Sequence, residues 1–356
     1  MRGTEGVIRF VKDWTLPVAI AVGTGMYLLF YWAPALDTLG NQLSPVMDVL
    51  FPFFVFLTLF ITFCKVDFHQ MLPHRWHVGV LVAQLLLVAA NVALILWLKS
   101  QTSNTPHLTP ITPLGPLGTL ATSGTQEHPL PIIQHPLLWE AVLTCIIGPS
   151  AAAAPVVVGK LGGNISTMTT YTLISSFASA LLIPLVFPLL EQTVYVDFLT
   201  AFLVILQKVA MVLLLPLVLG WLVQHYYIRL QRWIIGKPNL SFYSWAVSLS
   251  ITTGITVKNI VHSHAPLSLL IAIAVCTLLL CFLQFAIGRG IGRHLGEEVN
   301  AGQALFQKNT GLSIWVAYMY LSPVASIGAG CYVLWQNIIN SIEIWYYTTR
   351  QSKRRL

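Results

Sequence analysis

The segment Gly148-Pro149-Ser150-Ala151-Ala152-Ala153-Ala154-Pro155 interrupts an otherwise apolar run that extends from 137 to 160. The prolines and the glycine open the hydrogen-bond ladder of a helix, and the alanines between them let another backbone approach closely. The run is long enough to cross a bilayer, where irregular backbone is tolerated only if protein or a cavity surrounds it. The segment therefore predicts a broken helix inside a membrane protein.

The composition of the whole chain agrees with a membrane location. Of 356 residues, 56% are hydrophobic and 9% charged, whereas a soluble domain carries about 25% charged residues because its surface faces water. We therefore predict an all-α polytopic membrane protein in which 1–356 forms one transmembrane domain. Its ten predicted spans cover 14–32, 45–64, 77–98, 137–160, 165–190, 199–226, 240–260, 266–288, 301–320 and 324–347.

The placement of the basic residues predicts the orientation of these spans, because Lys and Arg in short loops stay on the cytoplasmic side. Basic residues precede the first span, follow the second, sixth and eighth, and close the chain. Both termini are thus expected in the cytoplasm, and the net charge of +7 reflects topology and contact with membrane lipid, not nucleic acid. The cysteines and the N-terminal segment fit a bacterial inner membrane. The nearly uncharged segment 100–136, rich in Pro, Thr, Gly and Ser, is expected to be a long extracytoplasmic loop.

A second interruption lies in the ninth span, from Gln303 to Gly311, and carries Gln307, Lys308, Asn309 and Thr310 in sequence. It follows the first interruption by five spans. That spacing predicts two inverted five-helix repeats, roughly 1–160 and 161–347, whose broken fourth and ninth helices cross at a binding site. The alternative, a pair of proline-kinked packing helices, leaves the polar cluster in the ninth span unexplained.

Lys308 is the most informative candidate residue. An ammonium near the bilayer midplane costs several kcal/mol unless it is paired, solvated or neutral. A lysine that reaches the interface is one interpretation, but polar neighbours on both sides favour a cavity. Lys208 lies within the sixth span and is interpreted as structural or cavity-lining. The carboxylates Asp48, Glu140 and Glu343 approach span ends, and no Asp or Glu lies beside the ninth-span break.

Short motifs along the chain are similar, in one order, to those of a known family. They are Asp67-Phe68 with Gly79-Val80-Leu81-Val82-Ala83-Gln84, Lys160-Leu161-Gly162-Gly163-Asn164, Lys208-Val209 with Leu215-Pro216 and Gly220, Asn309-Thr310-Gly311-Leu312, and Trp335-Gln336-Asn337. On these motifs the chain resembles the bile acid:sodium symporter family over nearly its whole length. The resemblance implies ten helices in two inverted repeats and sodium-coupled uptake of amphipathic organic anions, such as bile acids or smaller carboxylates.

The chain departs from this family at the positions that the resemblance assigns to sodium. The family's Ser-Asn pair corresponds to Ala154-Pro155, its ninth-helix glutamate to Ala304, the glutamine before its asparagine to Lys308, and a serine to Met168, while Gln84 and Thr172 match. Sodium is a hard cation that needs several oxygen ligands. We therefore expect a degenerate sodium site, no other metal and no cofactor.

These departures lead to a functional hypothesis. The chain is predicted to be a secondary transporter of a small organic anion by alternating access, sodium-independent, with the Lys308 ammonium in place of the bound cation. If burial favours its neutral form, the same lysine would couple transport to protons. Gln307, Asn309 and Thr310 complete the predicted binding and coupling site.

Several alternatives stay open at this point. A sodium-coupled symporter with altered ligands is the nearest one, followed by a non-transporting membrane sensor or receptor. An arsenite exporter would use a cysteine in the fourth span, but Cys145 lies before the break. An enzyme is disfavoured because the sequence has no His-Glu-x-x-His, Gly-x-Ser-x-Gly or paired intramembrane aspartates. Substrate identity, transport direction and oligomeric state do not follow from the sequence.

Overall fold

The structure, a computed structural model, describes residues 15–33, 37–66, 71–103, 131–190, 197–237, 240–263 and 265–355. Most of the predicted loop 100–136, the N-terminal segment before residue 15, and the motif residues Asp67-Phe68 lie outside these ranges. Within them, the regular secondary structure is helical apart from an isolated bridge described below. The predicted all-α class is confirmed.

The described helices run from near the start of the chain to its end. They are α1 (Thr15–Trp32), α2 (Asp37–Lys65), α3 (Arg75–Ser103), a 3-10 turn (Ile132–Gln134), α4 (Pro136–Ile147), α5 (Ala154–Lys160), α6 (Ile165–Leu190), α7 (Phe198–Leu213), α8 (Leu215–Tyr226), α9 (Ile228–Ile235), α10 (Leu240–Val261), α11 (Leu267–Leu295), α12 (Glu298–Phe306), α13 (Thr310–Tyr320) and α14 (Pro323–Arg355).

Several described helical segments are long and apolar enough to cross a membrane. They are Arg75–Gln101, Ile165–Leu190, Phe198–Tyr226 and Leu267–Leu295, and shorter apolar helices cover Val18–Trp32, Val49–Lys65 and Pro136–Ile147. Large apolar side chains such as Leu86, Leu181 and Leu279 are more than 60% exposed on their outer faces. A contiguous exposed apolar surface of this kind fits a lipid environment, so the chain is consistent with a polytopic membrane protein. A helix lies over each predicted span, but the ten-helix repeat architecture stays a prediction.

Close packing of helices forms the interior around the predicted breaks. α10 packs on α1 and α2, α4 packs on α3 and α14, and α12 packs along α11. At the α4–α14 contact, a Cβ on Gly328 would strike the backbone carbonyl of Ala141, so this approach requires glycine. In lipid there is no hydrophobic driving force between helices. Small residues let two helices approach closely, and the resulting dispersion contacts stabilise their packing. The core therefore holds both interrupted helices against their neighbours.

Candidate functional site

Both predicted interruptions are real breaks, and the structure brings them together. α4 ends at Ile147 and α5 begins at Ala154, while α12 ends at Phe306 and α13 begins at Thr310. Ser150 and Lys308 form an isolated antiparallel bridge between the two breaks. The N–H of Ala151 donates to the Gln307 carbonyl at 2.9 Å, and the N–H of Asn309 donates to the Pro149 carbonyl at 2.8 Å. The two breaks thus satisfy some of each other's backbone hydrogen-bonding groups.

Side chains from neighbouring helices satisfy further backbone groups of the first break. The Gln84 amide nitrogen, from α3, donates to the carbonyls of Ile146 and Gly148, both at 3.0 Å. The N–H of Ser150 donates to the Ser175 hydroxyl of α6 at 3.0 Å. An unsatisfied backbone group in hydrocarbon costs several kcal/mol. The Gln84 amide therefore has a structural role that was not predicted from the sequence.

The second break is held in the same way by α14. The Gln336 side chain accepts from the Lys308 N–H at 3.1 Å and donates to the Lys308 carbonyl at 3.3 Å. The Tyr332 hydroxyl donates to the Phe306 carbonyl at 2.7 Å. Sequence reasoning named Gln336 only as part of a motif and missed Tyr332. The signal that points to Gln336 is a polar residue within an apolar span, which must find a partner there.

Lys308 lies at the centre of this crossing. Its side chain is 1% exposed, and its ammonium has no hydrogen-bond partner among the described residues. It lines a small cavity of about 30 Å³ together with Asn309 and Thr310. The Asn309 side chain accepts from the N–H of Leu312 at 3.2 Å and so caps the start of α13. The polar cluster predicted in the ninth span therefore surrounds a buried cation.

A larger cavity of about 630 Å³ adjoins the crossing. Pro155 and Gln307, both in the predicted site, line it, and Lys65 and Lys160 contribute positive charge at the ends of their helices. No Asp or Glu belongs to the described lining of either cavity. The two cavities share four lining residues, which are Thr58, Ala152, Ala153 and Trp245. A ligand in the large cavity would therefore lie close to the small one.

Three of the positions that the resemblance assigns to sodium ligands lie in a buried apolar cluster. Ala154, Met168 and Ala304 pack there with Trp76 and Tyr171. None of these side chains offers a carboxylate, and a hard cation needs several oxygen ligands. These residues do not fit a sodium ion.

The matching pair Gln84 and Thr172 has other partners in the structure. The Gln84 amide nitrogen binds backbone carbonyls at the first break. The Thr172 hydroxyl donates to the Met168 carbonyl of its own helix at 3.1 Å. Both residues are buried near the crossing, but their hydrogen-bonding groups already serve the backbone.

Lys208 is placed differently from the other predicted site residues. It is exposed on α7 beside the fully buried Val209, and it lines neither cavity. The structure does not bring Lys208 to the crossing. This residue serves below as a comparison for Lys308.

The acidic residues near span ends are engaged away from the crossing. Glu140 is buried and pairs with Lys99 at 2.8 Å. Glu343 pairs with Arg289 and accepts from the Gln303 amide at 2.6 Å. The side chain of Asp48 lies outside what the structure describes. These two ion pairs clamp helices together, and neither carboxylate lines the described cavities.

A comparison with known protein families indicates which kind of protein this chain resembles. The model of the Sodium Bile acid symporter family matches residues 126–264. This match supports the resemblance to that family for residues 126–264. The matched segment contains the first break and α4 to α10, whereas the second break with Lys308 lies beyond it. No curated protein matches the chain. Together with the long apolar helices, the match supports a multi-pass membrane protein of the transporter kind.

Proposed function

We propose that the chain is a secondary transporter of a small organic anion, bile-acid-like or carboxylate, and that it works without sodium. The observation that carries this proposal is the Lys308 ammonium, which is buried where two broken helices cross and has no hydrogen-bond partner in the described part of the chain. In this account the ammonium supplies the positive charge that a bound cation supplies in a sodium symporter. It also attracts the anionic substrate.

The larger cavity suits such a substrate. Ligand pockets commonly measure roughly 300–1,000 Å³ and combine apolar walls with a few polar groups, and this cavity measures about 630 Å³. Its lining combines apolar side chains with amides and hydroxyls, including Asn337, Asn340 and Thr169. Lys65 and Lys160 add positive charge, and no carboxylate of the described lining opposes it. An amphipathic anion fits this combination of charge and apolar wall.

The sodium-independent part of the proposal rests on the apolar cluster around Ala304. Ala154, Met168 and Ala304 are buried against other apolar side chains, with no carboxylate among them. A sodium ion beside Lys308 would also meet the repulsion of a like charge, which is strong where the dielectric constant is low. The fixed ammonium removes the need for a mobile cation.

The architecture and location belong to the same proposal. Ten spans in two inverted repeats, both termini in the cytoplasm and a bacterial inner membrane are supported by the helices over the predicted spans and by the placement of Lys and Arg. Alternating access would reopen the crossing toward the other side of the membrane. The hydrogen bonds between the two breaks would couple their movement.

A sodium-coupled symporter with altered ligands is the second candidate, and one observation favours it. The oxygen atoms of the Ser150 and Ser313 hydroxyls and of the Gln307 amide are buried without hydrogen-bond partners among the described residues. Neutral oxygens of this kind can ligate sodium. They lie near Lys308, however, so the ion would bind only if that lysine were neutral.

Flux through a reconstituted membrane tests the proposal. Purified protein in liposomes is given labelled taurocholate and a panel of small carboxylates, with protein-free liposomes as the control. We expect saturable uptake of at least one anion, inhibited by an excess of the same unlabelled anion. Binding without flux would instead identify a sensor, and the absence of both binding and flux for every anion would overturn the proposal.

A further inference from the structure

The small cavity beside Lys308 is lined in part by hydroxyl side chains that the proposed function does not use. Its walls come from α2, α10 and the first turn of α13, with Thr58, Ser248, Thr252 and Thr310 among the residues that line it. Each of these residues is at most 6% exposed. The cavity is therefore a small space within the helical part of the chain, lined by both polar and apolar side chains.

Three kinds of positive or hydrogen-bond-donating group meet in this space. The Lys308 ammonium is buried and unpartnered among the described residues. Ser248 and Thr310, whose side chains carry hydroxyls, line the same space. The start of α13 adds the positive end of its helix dipole, which favours negative charge, although the N–H groups of Thr310 and Leu312 already donate to the Lys308 carbonyl and the Asn309 side chain. The described lining contains no carboxylate to neutralise these groups.

The size of the cavity limits what it can hold. Space for a probe the size of one water molecule corresponds to about 10–15 Å³, and this cavity measures about 30 Å³. A bile acid or another large organic anion is excluded on volume. One small ion, or one or two water molecules, fills the space.

We propose that this cavity is a binding site for a small monovalent anion, chloride in the cell, held by the Lys308 ammonium, the Ser248 and Thr310 hydroxyls and the start of α13. Gly311 keeps the site open, because a Cβ there would lie 3.7 Å from the Ser248 hydroxyl and 3.3 Å from Val55. The anion offsets the cost of a buried ammonium, which is otherwise several kcal/mol. The inference rests on the charged Lys308 of the proposed function but requires no particular transport substrate.

Thermal unfolding of the full-length protein in detergent tests this site. The unfolding midpoint Tm is measured while potassium chloride replaces potassium gluconate at constant ionic strength, since gluconate is too large for the cavity. A ligand that binds only the folded state raises stability with its concentration. We expect a saturable rise in Tm of a few degrees with chloride or bromide, its loss in Lys308→Gln, and its retention in the exposed-lysine control Lys208→Gln.

A second variant and a direct measurement keep the test decisive if Lys308→Gln does not fold. Ser248→Val removes one donor and should weaken the chloride effect at least about tenfold in apparent Kd, as expected for a hydrogen bond to a charged group. Crystals soaked in bromide should show an anomalous peak beside the Lys308 ammonium. The proposal is overturned by a chloride effect that is absent, unsaturable or equal in Lys308→Gln, or by crystals with no bromide at Lys308.

Two parallel measurements separate this inference from the proposed function. If formate raises Tm while chloride does not, the site accepts a carboxylate and the halide assignment is wrong. If labelled organic anions enter liposomes but chloride leaves Tm unchanged, only the anion site is overturned. If chloride stabilises the protein through Lys308 but no organic anion is transported, the anion site stands and the proposed function is overturned.

Discussion

The two helix breaks contact each other, but they differ in the types of residue that form them. The first, Gly148 to Ala153, carries one proline, small side chains and no charge, whereas the second, Gln307 to Asn309, has neither proline nor glycine and carries Lys308. Each is held by one glutamine from a neighbouring helix, Gln84 or Gln336. This difference indicates different roles: the small residues of the first break allow close approach of the backbone, whereas the second break provides a positive charge.

The largest effect is expected from removing that charge. Lys308→Gln keeps a polar side chain, one bond shorter, but not its ammonium, and we expect uptake to fall at least about tenfold, because a hydrogen bond to a charged group contributes about 1.5–3 kcal/mol. Lys208→Gln, which alters an exposed lysine on α7, should change uptake less than about twofold. Initial rates in liposomes measure both. Unchanged transport and stability in Lys308→Gln would show that the second break does not act through its charge.

Removing the glutamines compares the two breaks directly. Gln84→Leu leaves the carbonyls of Ile146 and Gly148 without their donor. Gln336→Leu leaves the Lys308 N–H without its acceptor, while the Lys308 carbonyl keeps the hydrogen bond from the Thr310 N–H. Each buried group left unsatisfied costs about 1–3 kcal/mol, so Tm should fall in both variants. Only Gln336→Leu should also raise the substrate KM, because it displaces the charged residue. Equal effects on KM would show that both breaks position the substrate.

The tight fit of the first break predicts a smaller effect that a second substitution reverses. A Cβ on Gly148 would strike the Ser313 hydroxyl oxygen, while the Ser313 Cβ would lie at an ordinary 3.7 Å. Gly148→Ala should therefore destabilise the protein by about 1–3 kcal/mol through overpacking. Adding Ser313→Ala should restore most of Tm. Gly25→Ala, which has nothing within 4 Å, is the control and should not lower Tm.

The smallest effect concerns helix caps inside and outside the membrane. Asn309 caps α13 at the second break, and Asn309→Ala should cost about 1 kcal/mol at any pH. Asp197 caps α7 at the protein surface, where hydrogen bonds from the Thr200 hydroxyl and N–H lower the pKa of its carboxyl. The stability contributed by Asp197 is thus fully present above its unfolded-state pKa and is lost as the pH falls through the folded-state value.

Tm measured from neutral to acidic pH distinguishes these caps. The difference between wild type and Asp197→Ala should shrink only in acid, whereas the difference for Asn309→Ala should stay constant. A cost of Asn309→Ala that followed the pH would indicate that the second break is linked to a titrating group.

Much of this arrangement follows from the sequence because it depends on local chemistry. The prolines around Ser150 and the polar run around Lys308 cannot form ordinary lipid-facing helix, so both breaks could be located within a few residues. The polar neighbours of Lys308 also favour a cavity there, although the sequence alone does not establish its burial. The apolar runs predict where helices lie over the spans.

The rest depends on packing between distant segments. The pairing of Ser150 with Lys308, and the hydrogen bonds from Gln84 and Gln336, depend on how α3 and α14 approach the breaks. The exposure of Lys208 could not be predicted either, because the helices packed against α7 determine which side of α7 faces outward. One sequence without contacts does not distinguish a buried lysine from an exposed one in an apolar span.

The most direct test of the central claim is the initial rate of substrate uptake by wild-type protein while sodium replaces potassium at constant ionic strength. We expect an uptake rate that does not depend on sodium, because Lys308 supplies the positive charge. A saturable rise in rate with sodium would contradict it and would show that oxygen atoms at the crossing bind the ion.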